Sequence, residues 1–155
     1  MGSRLRDQRG FTLTELVVAL AVVGVMAGAF TVTRAAIESA KVSSAVQSVE
    51  TIAAGAVQYA MSRPNGDYGG LSWQSIANQG LVPSGMMYPS WNNPWSGYYN
   101  VWEDCNSSTC FTVQLAYYVP TAAADRIIQA FSRRASGWRS EYTGGYNHVQ
   151  LRFDR

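Results

Sequence analysis

The hydrophobic pattern of the chain begins with a nearly uninterrupted apolar run. Between residues 11 and 33 almost every side chain is apolar, and Glu15 is the only charged one. A run of about 20 residues or more is long enough to cross the roughly 30 Å hydrocarbon core of a bilayer as a helix. The sequence therefore predicts a membrane-spanning helix in this segment.

From Arg34 onward the pattern changes to that of an amphipathic helix. Apolar residues recur at spacings of three and four, which places them on one helix face. They are Val42, Ala45, Val46, Val49, Ile52, Ala53, Ala56 and Ala60. No proline occurs between Phe11 and Arg63, and Pro64 with the following Asn-Gly predicts the end of the helix. One helix of about 50 residues is expected, its first half in the membrane and its second half packed on a globular head.

The rest of the chain alternates between strand and turn patterns. Ser72 is expected to cap a short helix over Trp73–Gln79 that Gly80 ends. Aromatic and β-branched residues predict strands over Tyr98–Glu103, Phe111–Val119 and Tyr146–Phe153. A helix is expected from Thr121 to about Ala135, ended by Gly137. The fold class expected is α+β, with the long helix against an antiparallel sheet of about four strands.

Charge distinguishes the first ten residues from the others. The chain of 155 residues carries a net charge of +2, and residues 1–10, with three Arg and one Asp, account for all of it. A basic flank predicts that this end stays cytoplasmic and that the remainder is exported. A secretory signal has a shorter apolar region and a cleavage site after it, so this longer run does not fit a secretory signal. A plain membrane anchor fits the length but gives no reason for Glu15, because a carboxylate in hydrocarbon is costly and usually marks function.

Composition argues against an enzyme and against a cofactor. One His and two Cys do not supply the clustered ligands of most metal sites, nor a nucleophile with its base and acid. No phosphate-binding Gly-x4-Gly-Lys motif is present. The balanced charge makes nucleic acid an unlikely partner, and the arginines at 126, 133, 134 and 139 read as the solvated face of a helix.

The string RGFTLTELVVALAVVGVMAG resembles the class III signal of type IV pilins and pseudopilins. The resemblance implies cleavage by a prepilin peptidase after Gly10, N-methylation of Phe11, and a role for Glu15 in assembly. It divides the chain into a leader (1–10), a transmembrane and filament-core helix (11–34) and a pilin head (35–155). The partners implied are other copies of the chain, the peptidase, the inner-membrane assembly platform and the membrane itself.

Glu15 lies one helical turn from the ammonium that cleavage creates at Phe11. The carboxylate is expected to pair with the ammonium of a neighbouring subunit and so to fix the axial register of the filament. Gly24 and Gly28 form a small-xxx-small spacing, which fits close helix packing or a locally soft segment, but glycine is also common in membrane helices.

The two cysteines are expected to form a disulfide, because most of the chain is exported. Cys105 and Cys110 lie between two predicted strands. Pilins often close a larger C-terminal region with a disulfide, which has no counterpart here because no Cys follows Cys110. The segment Asn93-Pro-Trp-Ser-Gly97 resembles the Asn-Pro-Trp-Gly-Gly segment of type IVb pilins, with Ser96 in place of a Gly, whereas the short leader resembles the IVa group.

The function expected is that of a structural subunit of a type IV pilus, in the inner membrane before assembly and extracellular afterwards. The alternatives are a pseudopilin of type II secretion or a minor pilin. An alternative of another class is a membrane-tethered module that binds DNA or glycans, since aromatic side chains are abundant. Major pseudopilins often bind calcium through carboxylates in late loops, and residues 137–155 contain only Glu141 and Asp154 as acids.

Overall fold

The computed structural model describes residues 12–83, 85–86, 90, 92–104, 108–143 and 146–155, without the side chains of residues 142, 143 and 146. Gly10, Phe11 and Cys105, for which the sequence makes predictions, lie outside the described residues. The chain divides between Ile37 and Glu38 into two compact units. The first contains the membrane-type part of the long helix, and the second contains the rest of that helix and the sheet.

The long helix α1 runs over Leu13–Met61, which confirms the predicted helix of about 50 residues. In the second unit its buried face follows the predicted apolar stripe, with Val46 and Ala53 partly buried at its margin. Gly55 and Tyr59 are also buried, which the pattern did not indicate. Gly55 lacks a side chain where a Cβ would come within 2.9 Å of the Leu81 carbonyl oxygen. The buried face of α1 therefore packs on the core of the sheet and also contacts the loop around Leu81.

The other helices and the strands follow α1 in mixed order. They are α2 (Trp73–Asn78), β1 (Tyr98–Glu103), β2 (Cys110–Ala116), α3 (Thr121–Phe131), β3 (Gly137–Thr143) and β4 (Tyr146–Asp154). The four strands form one antiparallel sheet in the order β1-β2-β4-β3. Alternate side chains of its three adjoining strands β1, β2 and β4 enter the core, among them Tyr99, Val101, Val113, Leu115, Val149 and Leu151. The α+β fold class is thus confirmed.

The short helix α2 forms where its cap was predicted. The Ser72 hydroxyl accepts a hydrogen bond from the Ser75 N–H at 3.1 Å, and the Ser75 hydroxyl accepts one from the Ser72 N–H at 2.9 Å. This reciprocal pair satisfies two backbone donors that a helix start otherwise leaves open. The helix is six residues long, so local capping rather than length holds it.

Three features in the second half of the chain differ from prediction by more than one residue. Strand β2 ends at Ala116 rather than at Val119, because Tyr117 and Tyr118 both have positive φ and leave the extended conformation. Helix α3 ends at Phe131 rather than near Ala135. Gly137 does not end a helix but begins β3, a strand whose position was not predicted.

The segment before β1 is organised around one buried amide. The Asn93 side chain, 4% exposed, accepts hydrogen bonds from the N–H groups of Trp95 and Gly97 at 2.9 and 2.8 Å. Its Nδ2 donates to the Ala116 carbonyl oxygen at 2.8 Å, which ties this loop to the end of β2. The Trp95 indole N–H donates to the Glu38 carboxylate at 3.2 Å. Asn93 thus replaces missing backbone partners for the turn that leads into the sheet.

Ser96 occupies the turn in a conformation that favours glycine, with φ of +64°. In this region a residue with a Cβ is about 1–2 kcal/mol less favourable than glycine. Glycine loses more conformational entropy on folding than serine, and this loss cancels part of the difference. Ser96→Gly is therefore expected to stabilise the fold by about 0.5–1 kcal/mol. Denaturant unfolding of the full chain in detergent, followed by tryptophan fluorescence, measures this change.

Ser43→Gly is the control for that prediction, since Ser43 lies exposed within α1. Glycine inside a helix lowers stability by roughly 0.5–1 kcal/mol, so the two serine-to-glycine changes should have opposite signs. A loss of stability in Ser96→Gly would show that the positive φ carries no cost here.

Candidate functional site

The acidic residue of the apolar run is held at the start of α1. The Glu15 carboxylate accepts hydrogen bonds from the Thr12 N–H and from the Thr12 hydroxyl, both at 2.9 Å. The Glu15 N–H donates to the Thr12 hydroxyl oxygen at 3.3 Å. Together these bonds form a capping box, in which residue and cap satisfy each other's open donors. The carboxylate is thus oriented by residues of its own chain.

This role of Thr12 was not predicted from the sequence, although a signal for it is present. Thr12-Leu-Thr-Glu15 has the Thr-x-x-Glu spacing of a capping box immediately before an apolar run. The expectation for Glu15 considered only the ammonium of Phe11, which lies outside the described residues. The geometry therefore shows a partner for the carboxylate, Thr12, within the chain itself.

The large apolar side chains of the first unit are exposed. They include Leu13, Leu16, Val17, Val18, Leu20, Val22, Val23, Val25, Met26, Phe30 and Val32, each more than half exposed. By length and composition, α1 is able to cross a membrane. A soluble monomer would pay heavily for such a surface, so this part of α1 fits a bilayer or a bundle of helices.

Two hydroxyl groups near the end of this segment are satisfied by the helix itself. The Thr31 hydroxyl donates to the Gly28 carbonyl oxygen and the Thr33 hydroxyl to the Ala29 carbonyl oxygen, each at 2.8 Å. Such bonds remove the cost of placing a hydroxyl in an apolar environment. Glu15, the only charged residue of the run, is instead bonded to Thr12 at the start of the helix.

The two glycines of the small-xxx-small pair leave open space on this helix. A Cβ built at Gly24 or at Gly28 meets no other side chain or distant backbone within 4 Å. Neither glycine is thus required by packing within the subunit. Their surfaces are available to a neighbouring helix, which is one of the two interpretations of the spacing.

The arginines of the predicted basic cluster face partners in the second unit. Arg134 contacts the Glu50 carboxylate at 2.6 Å, and Arg126 donates to the Ser39 hydroxyl at 3.2 Å. Arg139 lies 3.7 Å from Glu141 on the same strand. The prediction that these arginines form one face of a helix is wrong, because Arg133 and Arg134 follow the end of α3 and Arg139 lies on β3. All four arginines are exposed, and Arg126 alone joins α3 to α1.

The second cysteine of the pair lies at the first residue of β2. Cys110 is completely buried, and the structure contains no free cysteine among its described residues. Its expected partner, Cys105, falls in the segment 105–107 outside them. The pairing therefore stays a prediction.

Comparison with known proteins adds one match. Residues 5–31 match the family model of the prokaryotic N-terminal methylation motif, a segment that contains Gly10, Phe11, Thr12 and Glu15. No curated protein matches the chain. The matched segment covers the start of α1, with its capping box, and most of the apolar surface. The N-terminal segment of this chain is a type IV pilin-like class III signal.

Proposed function

We propose that this chain is a prepilin whose mature form, Phe11–Arg155, polymerises into a type IV pilus. The observation that carries the proposal is the exposed apolar surface of residues 13–33, in which the oriented Glu15 is the only charged residue and which lies almost wholly in the methylation motif. A helix of this kind is stable in a bilayer and, after extraction, in a bundle of identical helices. The role is structural, with no catalytic step and no cofactor.

The processing step follows from the motif. Prepilin peptidase would cut after Gly10 and expose the amine of Phe11, which is then methylated. The new ammonium precedes Thr12, whose N–H already binds the Glu15 carboxylate. The new amine would then be four residues from Glu15 in sequence, at the end of the chain that enters the filament core.

Assembly would bury the apolar surface, and this burial contributes roughly 25 cal/mol of stabilising free energy per Å². Apolar burial does not by itself fix how far one helix slides along another. A carboxylate and an ammonium in a dry core do fix it, since an unpaired member of a buried ion pair is heavily penalised. We propose that Glu15 fixes the axial register. Its carboxylate would give up its bonds to Thr12 and pair with the ammonium of Phe11 in a neighbouring subunit.

The location changes with assembly. Before it, α1 anchors the subunit in the inner membrane with the leader in the cytoplasm, and afterwards the head is displayed outside the cell. The partners are further copies of the chain, the prepilin peptidase and the inner-membrane assembly platform. The Cys105–Cys110 disulfide would form in the exported head, at the start of β2.

A pseudopilin of type II secretion, or a minor pilin, shares the same processing and is the second candidate. The two late carboxylates do not favour a calcium-binding pseudopilin, because Glu141 and Asp154 contact Arg139 and Arg152 at 3.7 and 3.4 Å. Imaging of sheared surface filaments, with identification of their main protein, separates these candidates.

Mass spectrometry of the protein purified from its own cells tests the proposal. We expect a mature N-terminus at Phe11 that carries one methyl group, and an intact mass that includes one disulfide. An N-terminus at Met1 would overturn the processing step and leave a plain anchored domain. A mature N-terminus with free thiols would overturn the disulfide alone.

A further inference from the structure

Strand β3 forms one edge of the sheet. It pairs with β4 on one side, and no strand in the described part of the chain lies on its other side. In an antiparallel ladder, the N–H and C=O groups of alternate residues point to the same side of a strand. The outward groups of β3 therefore meet no partner among the described residues, and Trp138, Arg139 and Ser140 are exposed beside them. Such an edge is a template for another strand.

The opposite edge of the sheet, β1, is protected by the chain itself. The Glu103 N–H donates to the Leu71 carbonyl oxygen at 3.3 Å. Two residues earlier on the same strand, the Val101 N–H donates to the Asn100 side-chain oxygen at 2.9 Å. Both backbone donors of this edge are thus satisfied within the chain. The two edges therefore differ, and β3 is the one that offers its backbone to another molecule.

Strand β3 also lacks the residues that usually block an edge. Proteins prevent edge pairing with proline, with lysine or with a charge that points into the core. Residues 137–143 contain no proline and no lysine. Trp138 is paired with the core residue Leu151, so Arg139 and Glu141 have their side chains on the sheet face away from the core. Neither charge therefore blocks an incoming strand.

The charges of β3 are complementary to those of a second β3. Ser140 is the middle residue of the strand, Gly137–Thr143, and it lies between Arg139 and Glu141. An antiparallel copy that overlaps the whole strand places Ser140 opposite the partner's Ser140. Each Arg139 then lies opposite the partner's Glu141, which gives two cross-strand ion pairs. A pairing centred on Arg139 or on Glu141, or a parallel pairing in register, would bring like charges together, which is destabilising.

Trp138 would be covered in the same arrangement. Its side chain is 59% exposed, although it lies on the face of the sheet that carries the core. In the fully overlapping register the partner's Ser140 is its diagonal neighbour, about 7–8 Å away, a distance that an aromatic side chain can reach. Ser140 is small and exposed, so it leaves room for the indole ring. Pairing would thus remove a large apolar side chain from water.

We propose that β3 pairs with β3 of a second copy of the chain, antiparallel and centred on Ser140, so that two heads share one continuous sheet. A two-fold contact of this kind closes after two copies, whereas a filament needs a contact that repeats without closing. The contact is therefore separate from the packing of α1, and it holds whether or not the chain assembles into a filament. One strand pair is smaller than a standard interface of about 1,600 Å², so the contact is weak.

Cysteine cross-linking captures a weak contact and reports its register. In Ser140→Cys the two new thiols face each other across the two-fold axis, with Cβ atoms about 4.5–5.5 Å apart. The full chain in detergent is treated with a short bifunctional thiol reagent, and dimers are separated on a denaturing gel. We expect a cross-linked dimer from Ser140→Cys. Gln129→Cys, at an exposed position on α3, is the matched control and should give only the background of the unsubstituted chain.

Charge reversal tests the complementarity. Arg139→Glu and Glu141→Arg, each combined with Ser140→Cys, should lower the dimer yield about tenfold, because the two-fold axis brings like charges together twice. A mixture of the two variants should cross-link between them, since each position 139 then faces the opposite charge at position 141 of the partner. A size tag on one variant identifies the mixed dimer. The chain that carries both reversals should also recover the yield.

Recovery in the mixture separates a lost contact from a folding defect, and thermal unfolding checks each variant independently. Cross-linking of Ser140→Cys at the level of Gln129→Cys would overturn the contact. A yield that charge reversal leaves unchanged, or that mixing does not restore in folded variants, would overturn the proposed antiparallel register.

Discussion

Glu15→Val is expected to insert into the membrane normally and to be excluded from filaments. Removing one partner of a buried ion pair costs about 3–5 kcal/mol, because the other charge stays buried alone. A loss of 3 kcal/mol lowers an association constant by more than about a hundredfold. In the filament the group left without its partner would be the ammonium of a neighbouring Phe11. Membrane insertion depends on the apolar run, and valine at position 15 removes the only charged residue of that run. Insertion should therefore be normal.

The capping box allows the two roles of Glu15 to be separated. Valine removes both the charge and the acceptor of the Thr12 N–H, whereas Glu15→Gln keeps an acceptor at the same position. If charge pairing fixes the register, Glu15→Gln should fail to assemble as Glu15→Val does. If capping alone matters, Glu15→Gln should assemble well.

The measurement compares the subunit in membrane fractions with the subunit in sheared filaments, in cells that carry each variant. Glu50→Val serves as the control, because Glu50 is an exposed carboxylate on the same helix, paired with Arg134. It removes a charge from the head and should leave filament incorporation intact. Filaments formed at normal levels by Glu15→Val would refute the role assigned to this carboxylate.

Gly97→Ala is expected to destabilise the head by about 3 kcal/mol or more. A Cβ at this position would overlap the Ala116 carbonyl oxygen and lie 2.5 Å from the Asn93 Nδ2 atom. It would also come within 2.9 Å of the Tyr117 carbonyl oxygen. Two of the three atoms are backbone, so no side-chain movement relieves the clash. The turn must move, and with it the buried hydrogen bonds of Asn93 are lost.

Gly137→Ala is the control for this prediction. A Cβ at Gly137 meets only the Arg152 side chain, at 3.8 Å, which is ordinary van der Waals contact. Its effect on stability should stay within about 0.5 kcal/mol. Denaturant unfolding of both variants in detergent gives the comparison, and equal stabilities would mean that the segment before β1 tolerates displacement.

Sequence patterns succeeded where a signal repeats or where it is purely local. The stripe from Val42 to Ala60 recurs over five turns, so a single misleading residue does not hide it. The Ser72 cap precedes α2 directly and acts through a bond three residues away. The first signal is redundant and the second spans one turn, so neither needs knowledge of distant parts of the chain.

Patterns failed where a residue's conformation depends on its distant neighbours. Strand β3 has few apolar residues and is mostly exposed, so its sequence gives no alternation, and pairing with β4 holds it extended. Tyr117 and Tyr118 have high strand propensity, yet both adopt positive φ where the chain leaves β2 for α3. Tertiary contacts outweigh local propensity at such sites.

The sequence by itself determined the long apolar part of α1, the class III signal and the amphipathic half of α1, because hydrophobicity, charge and local capping act over short distances along the chain. Only the tertiary structure decided which side chains meet across the sheet. The register places Asn100, Gln114, Gln150 and Arg139, from four different strands, side by side, and the buried bond from Asn93 to Ala116 spans 23 residues. Strand order and register set these contacts, and both depend on the packing of the whole head.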